Sequence, residues 1–67
     1  KTNMSKLTNR EIEVLLCLKQ GLRMQDIAHQ LAISYHTVDS HLRNIYDKLN
    51  VQTNIQAVVK AMEENLI

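Results

Sequence analysis

Polar residues between positions 36 and 47 recur at intervals of three and four, a spacing that places them on one face if the segment is helical. They are His36, Asp39, Ser40, Arg43, Asn44 and Asp47. Their carboxylate, hydroxyl, amide, imidazole and guanidinium groups can hydrogen-bond to base edges and phosphate oxygens. Only Arg43 can make the bidentate bond to guanine, so it is our first candidate for reading a base.

The apolar residues of the same segment predict that it is helical. They follow one another at offsets of four, three and four, as Val38, Leu42, Ile45 and Leu49, which is typical of one inward-facing stripe. Ser34 suits the N-cap position with Thr37 three residues later, and Asn50 suits a left-handed exit. We therefore expect a helix over about residues 35–49. The hydroxyls of Ser34 and Thr37, with the first backbone N–H groups, would suit a phosphate.

A shorter helix is expected just before this one, over about residues 24–31. It would bury Ile27, Ala28 and Leu31, and Asp26 in its first turn would interact favourably with the helix dipole. The turn between the two helices must be very tight. Residues 27–42 therefore predict a helix-turn-helix unit, whose second helix is built to enter the major groove of DNA.

Two further helices should support this unit. Thr8 and Glu11 form a predicted capping box before a helix of about residues 9–20, with Gly21 as a left-handed stop. Its apolar series is Ile12, Leu15, Leu16 and Leu18. Thr53 and Gln56 predict a second capping box before a helix of about residues 54–65. The expected fold class is all-α, with four helices over residues 7–67, and the polar residues 1–6 are expected to be a linker or a frayed N-terminus.

Composition excludes several classes of protein. The chain has 67 residues, one Gly, one Cys and no Pro, which favours a single small helical domain. Cys17 alone cannot form an intrachain disulfide or a Cys-pair zinc site, so no metal or cofactor is expected. There is no Gly-rich phosphate loop or nucleophile–base pattern, so an enzyme is not expected. No signal-peptide or membrane-spanning pattern is present, and a reducing, cytoplasmic compartment is expected.

The net charge does not by itself indicate a nucleic-acid partner. Eight basic residues nearly cancel seven acidic ones, leaving +1, whereas DNA-binding domains are usually more basic because cations neutralise phosphates. Within residues 34–50, Arg43 and Lys48 only balance Asp39 and Asp47.

Residue patterns over nearly the whole chain resemble those of one known family. They are Leu7-Thr8-Asn9-Arg10-Glu11-Ile12-Glu13-Val14-Leu15, Gly21-Leu22, Asp26-Ile27-Ala28, Leu31, Ile33-Ser34, Thr37-Val38, His41-Leu42-Arg43-Asn44-Ile45-Tyr46, Lys48-Leu49 and Ala57-Val58. In order and spacing, the chain from Leu7 to Ile67 is similar to the LuxR/NarL-type (FixJ/GerE) helix-turn-helix domain of bacterial transcription regulators.

The resemblance implies sequence-specific binding to double-stranded DNA by a four-helix domain that usually follows an N-terminal receiver or sensor domain. It also implies a homodimer, commonly formed through the last helix. This would explain why the apolar stripe of that helix is wider than a small core needs. The stripe consists of Ile55, Val58, Val59, Met62 and Leu66.

Family roles can be carried over to matching positions of this sequence. The base-reading positions are Asp39, Ser40 and Arg43, and the phosphate-contacting positions are Met24, Gln25, Thr37, His41 and Asn54. The polar residues at the start and on the outer side of the helix of about residues 35–49 are further candidates for backbone contacts. These are Ser34, Tyr35, His36, Asn44 and Asp47.

The departures from the family pattern concern charge. Family members often have Lys at position 39, Asn-Lys at positions 24 and 25, and Arg at position 54, where this chain has Asp39, Met24-Gln25 and Asn54. Each lost phosphate contact lowers the salt dependence of binding. Asp39 would repel the backbone unless it accepts from a cytosine amino group. We hypothesise that the chain either binds weakly without dimerisation or reads a site with cytosine opposite Asp39.

Two other functions compete with this interpretation. A protein-interaction module that keeps the regulator fold and has lost DNA binding would explain the balanced charge and Asp39. The promoter-reading domain of a sigma factor contains a similar helix-turn-helix, but the capped helix after Leu49 and the run from His41 to Tyr46 favour the LuxR/NarL type.

Overall fold

The computed structural model describes residues 7–67, and the predicted linker of residues 1–6 lies outside this range. Within residues 7–67 the secondary structure consists of four helices: α1 (Asn9–Lys19), α2 (Met24–Leu31), α3 (Tyr35–Leu49) and α4 (Asn54–Glu63). The predicted all-α fold class is therefore confirmed. α3 packs against each of the other three helices, so the helix that carries the candidate site is also the centre of the domain.

Side-chain caps define how the helices begin. The Glu11 N–H donates to Thr8 Oγ1 at 3.1 Å and the Thr8 N–H donates to Glu11 Oε1 at 2.9 Å, which is the predicted capping box. At α4 the prediction is only half right. The Gln56 N–H donates to Thr53 Oγ1 at 3.1 Å, but Gln56 Oε1 accepts from the N–H of Gln52 at 2.9 Å instead of Thr53. The Gln56 side chain therefore bonds to the turn before α4 instead of to the backbone of the N-cap residue Thr53.

All four of these helices end in the same way. A residue with φ between 58° and 89° follows each helix, namely Gly21, Ala32, Asn50 and Asn65. The next residue donates its N–H to the carbonyl five positions earlier, at 2.8 to 3.1 Å. This is the bond of the Schellman motif, which satisfies a carbonyl that the helix leaves without a partner. The donors are apolar and partly buried against the core: Leu22, Ile33, Val51 and Leu66.

The last of these motifs corrects one predicted boundary. α4 was expected to reach about residue 65, but it ends at Glu63. Asn65 adopts a left-handed φ of 62°, and the Leu66 N–H turns back to the carbonyl of Ala61 at 2.8 Å. Leu66 is therefore not a helical residue, and it packs against the core of its own domain.

The hydrophobic core forms where the four helices meet. The predicted α3 stripe is buried, with exposures of 0 to 3% for Val38, Leu42, Ile45 and Leu49. The prediction for α1 was partly wrong, because Leu16 is 39% exposed and Val14 is fully buried. On α4 the buried residues are Ala57 and Ala61. These small side chains let α4 approach α1 and α3 closely, while its larger apolar residues point elsewhere.

Two other expectations concern metal binding and membrane-spanning helices. Among residues 7–67, no group of His, Cys, Asp and Glu side chains is arranged to hold a metal ion. None of the helices in this part of the chain is long and apolar enough to cross a membrane.

Candidate nucleic-acid interface

The turn between α2 and α3 fixes the direction in which α3 projects. α2 ends at Leu31, Ala32 takes a left-handed φ of 58°, and Ser34 already caps α3. The Thr37 N–H donates to Ser34 Oγ at 3.0 Å, and the two hydroxyl oxygens lie 2.9 Å apart. The start of α3 therefore presents two ordered hydroxyls beside backbone N–H groups that have no partner within a helix, an arrangement suited to a phosphate.

The outer side of α3 carries the polar edge, which we define as His36, Asp39, Ser40, Arg43, Asn44 and Asp47. These side chains are exposed except for Asp39, which is partly buried. The buried stripe lies on the opposite side of the same helix, so the polar edge faces solvent along most of the length of α3. The structure thus brings together the predicted base-reading residues Asp39, Ser40 and Arg43 on one accessible surface.

Two of these base-reading candidates are bonded to each other. Arg43 Nε donates to Asp39 Oδ2 at 3.0 Å, one helical turn apart. The side chain of Arg43 is 78% exposed and that of Asp39 is 36% exposed. Sequence reasoning treated Asp39 only as a base contact or a source of repulsion. The i,i+4 spacing of an acid and an arginine was the available signal for this pair.

Tyr46 and His41 flank the polar edge and are partly buried. Burial raises the pKa of the Tyr46 phenol above its usual 10.0, and the negative charge of Asp39 adds to the increase. The charge of Asp39 therefore acts on the Tyr46 phenol as well as on the Arg43 guanidinium. Tyr46 packs against the core of the domain.

A second group of predicted backbone contacts lines one surface groove between the end of α1 and the starts of α2, α3 and α4. This is the α1–α4 groove, and Met24, Gln25, Tyr35 and Asn54 are among its lining residues. Residues from α2, α3 and α4 therefore lie close together in this groove. Their side chains bring hydroxyl, amide and thioether groups but no charge.

Sequence reasoning missed two cations in this groove. Lys19, the last residue of α1, and Arg23, the N-cap of α2, are exposed and line the groove beside Met24 and Gln25. Both lie outside the helix-turn-helix segment, so its spacing gave no reason to single them out. Their position supplies positive charge where the family pattern would have it on neighbouring residues.

An apolar stripe runs along the solvent side of α4. Ile55 is 73% exposed, and Val59 and Met62 are each 47% exposed. They follow at offsets of four and three, which places them on one face of the helix. The two other residues of the predicted dimer surface, Val58 and Leu66, are partly buried against the core. The apolar stripe of α4 is therefore Ile55, Val59 and Met62, of which Ile55 and Val59 also line the α1–α4 groove.

Comparison with known proteins places this geometry in context. The family model GerE, described as bacterial regulatory proteins of the luxR family, matches residues 5–61. The chain is 46% identical over 61 residues to the response regulator protein VraR of Staphylococcus aureus and of Staphylococcus epidermidis, covering 91% of this chain and 29% of each relative. The chain therefore spans less than a third of the length of these curated relatives.

A solved structure has the same fold. It is the crystal structure of the response regulator ChrA in a heme-sensing two-component system, with a TM-score of 0.89 and 44% sequence identity. The match covers 91% of this chain and 30% of that one.

Proposed function

Because this chain belongs to the luxR family of bacterial regulatory proteins, we propose that it is the DNA-binding domain of a bacterial transcription regulator. The observation that carries the proposal is the exposed polar edge on the second helix of a tight helix-turn-helix. In such a unit the second helix lies in the major groove, and its outward side chains meet base edges. α3 would therefore enter the groove with Asp39, Ser40 and Arg43 toward the bases.

Contacts to the DNA backbone would flank this helix on two sides. The start of α3 offers the capped hydroxyls of Ser34 and Thr37, and the α1–α4 groove offers Lys19 and Arg23 with the neutral groups of Gln25 and Asn54. Phosphate contacts set the register of a protein on the duplex. The remaining candidates for backbone contact are Met24, Tyr35, His36, His41, Asn44 and Asp47.

The functional form would be a homodimer joined through α4. The apolar stripe of Ile55, Val59 and Met62 is exposed, and a stripe of this kind on a helix is best buried against another apolar surface. A twofold dimer would place the same stripe on both sides of the contact and two copies of α3 on paired half-sites.

The longer relatives indicate the setting of the domain. Both named relatives are response regulators, and the chain covers less than a third of each. We therefore propose that this domain belongs to a full-length cytoplasmic regulator with an N-terminal receiver or sensor domain.

Fluorescence anisotropy with a random-sequence duplex over a range of salt concentrations tests DNA binding. We expect affinity to fall steeply with salt, because binding releases counterions from phosphates. Affinity should fall further in Arg43→Ala, and Arg10→Ala, which removes one exposed cation from the first turn of α1, is the control. Absent or salt-insensitive binding would instead favour the protein-interaction module, which the balanced charge of residues 34–50 would suit.

A further inference from the structure

The ion pair on the polar edge joins a highly exposed arginine to a less exposed aspartate. Arg43 Nε lies 3.0 Å from Asp39 Oδ2, and the Arg43 side chain is 78% exposed against 36% for Asp39. Asp has two side-chain torsions and Arg has four, so the carboxylate is the fixed partner. The pair therefore holds the arginine over one turn of α3 instead of leaving it free in solvent.

The geometry of the pair leaves the base-reading part of the arginine available. A guanidinium has five N–H donors in a planar fork. Asp39 takes the donor on Nε, so the two terminal nitrogens keep their donors for the O6 and N7 acceptors of guanine. We propose that Asp39 is a positioning residue that orients Arg43 for guanine and so sets specificity. The proposal rests on the DNA-binding function proposed above.

A carboxylate at this place changes specificity and general affinity in opposite directions. Near the phosphate backbone its charge weakens binding to every sequence. At the correct site it lowers the entropy lost when a long side chain becomes ordered, an amount equivalent to about 2- to 10-fold in affinity. In water an exposed pair at this spacing is weak, but it strengthens where the DNA displaces water. Asp39 thus favours the guanine site over other sequences.

The test measures discrimination and affinity separately. A duplex selected by the wild-type chain is compared with duplexes altered at single base pairs, and the position at which Arg43→Ala loses discrimination identifies the guanine that Arg43 contacts. For each variant we then measure the ratio of the Kd for the duplex altered at that position to the Kd for the selected duplex. We expect Asp39→Ala to reduce this ratio about 2- to 10-fold, while its affinity for a random-sequence duplex stays equal or rises.

Two variants control for charge and folding. Glu13→Ala removes a carboxylate from another exposed ion pair, with Arg10 at 3.1 Å on α1, and should leave the ratio unchanged. Asp39→Glu keeps a carboxylate at the same position and should retain most of the discrimination. A merely structural role for Asp39 would lower the affinity for all duplexes together, and this outcome would overturn the proposal.

A double variant separates positioning from direct readout. If Asp39 acts through Arg43, Asp39→Ala has no further effect on the ratio in an Arg43→Ala background. A persistent effect at a cytosine in that background would show that Asp39 contacts the base itself, and an unchanged ratio in Asp39→Ala alone would show that the pair has no role. Either result overturns this proposal alone. Salt-independent or absent binding by the wild-type chain would overturn the proposed function as well.

Discussion

Lys48 Nζ lies 2.7 Å from Glu11 Oε1, thirty-seven positions earlier in the chain. The same carboxylate oxygen accepts the N–H of Thr8 at 2.9 Å. Glu11 is only 3% exposed, and the Lys48 side chain is 29% exposed. One buried carboxylate therefore closes the cap of α1 and joins that cap to the last turn of α3. The helix that carries the polar edge is fixed at its far end by this contact.

We expect Glu11→Ala to lower the free energy of unfolding by about 2–3 kcal/mol, because it removes the cap and leaves the ammonium of Lys48 without this carboxylate. Glu11→Gln keeps an oxygen for the Thr8 N–H and should cost less. A domain of this size has only a few kcal/mol in total. Urea denaturation measures the change. The control is Glu13→Ala, which breaks an exposed ion pair and should lower the free energy of unfolding by less than about 0.5 kcal/mol. A similar loss in both Ala variants would contradict this role.

The left-handed residues at the helix ends predict opposite effects of two substitutions. Gly21→Ala should lower stability by about 1 kcal/mol. Gly21 has a φ of +89°, and among residues 7–67 no atom beyond its chain neighbours lies within 4 Å of the added methyl group, so backbone strain is the main change. Ala32→Gly should raise stability by up to about 1 kcal/mol, since Ala32 is already at a φ of 58°, where glycine is favoured. Urea midpoints for the pair check this. Destabilisation by Ala32→Gly would show that the methyl group packs usefully.

The helix ends also show what the sequence could reveal about the fold. Gly21 and Asn50 were predictable left-handed residues because Gly and Asn adopt this conformation at low cost. Ala32 was missed, since Ala carries no such signal, and Asn65 was placed inside α4. In all four cases an apolar residue follows, packed on the core. Tertiary burial of that residue, which no local propensity reports, stabilises the turn.

Part of the candidate site could likewise be predicted from the sequence, and part could not. The polar edge could be predicted because helical spacing alone separates it from the buried stripe. The place of Lys19 and Arg23 in the α1–α4 groove could not be predicted, because their proximity to Asn54 depends on how α1, α2 and α4 pack together. The contact between Lys48 and Glu11 likewise joins residues far apart in sequence, and periodicity carries no information about such pairs.

Stability should fall at alkaline pH. Burial raises the pKa of the Cys17 thiol above its usual 9.0, with a further increase from the charge of Glu13. Burial likewise raises the pKa of the Tyr46 phenol above its usual 10.0. The unfolded chain therefore loses these protons at lower pH than the folded one. The stabilisation is complete below about pH 9 and is lost as the pH rises through the raised pKa values.

Urea midpoints measured from neutral to alkaline pH check this expectation. Tyr46→Phe keeps the ring and removes the ionisable hydroxyl, so its stability should fall less steeply above about pH 10. Parallel curves for the wild type and Tyr46→Phe would show that ionisation of Tyr46 contributes nothing to the loss.

The cations of the α1–α4 groove should contribute to the salt dependence of DNA binding. Arg23→Ala and Lys19→Ala should each reduce the slope of log affinity against log salt concentration by about 0.9, if each side chain neutralises one phosphate. The effect should be similar on selected and random-sequence duplexes, because phosphate contacts carry no base information. Arg10→Ala, at the opposite end of α1 from Lys19, removes the same charge. An equal change in its slope would indicate general attraction instead of groove contacts.

The apolar stripe of α4 should determine how two copies bind together. Met62 is 47% exposed near the end of α4 and does not line the α1–α4 groove. In a twofold dimer, Met62→Lys would place like charges across the contact from each other, while a cation near a helix C-terminus is favourable for folding. We expect it to weaken binding to a duplex with two half-sites by at least about tenfold. Binding of Met62→Lys to a duplex with one half-site should change little. The control is Asn9→Lys, which adds the same charge at the start of α1. This control should keep the higher affinity of the wild type for a duplex with two half-sites over one with a single half-site. Equal losses on single and paired half-sites would place Met62 at the DNA or in the fold, and no loss on either would exclude this stripe as the dimer contact.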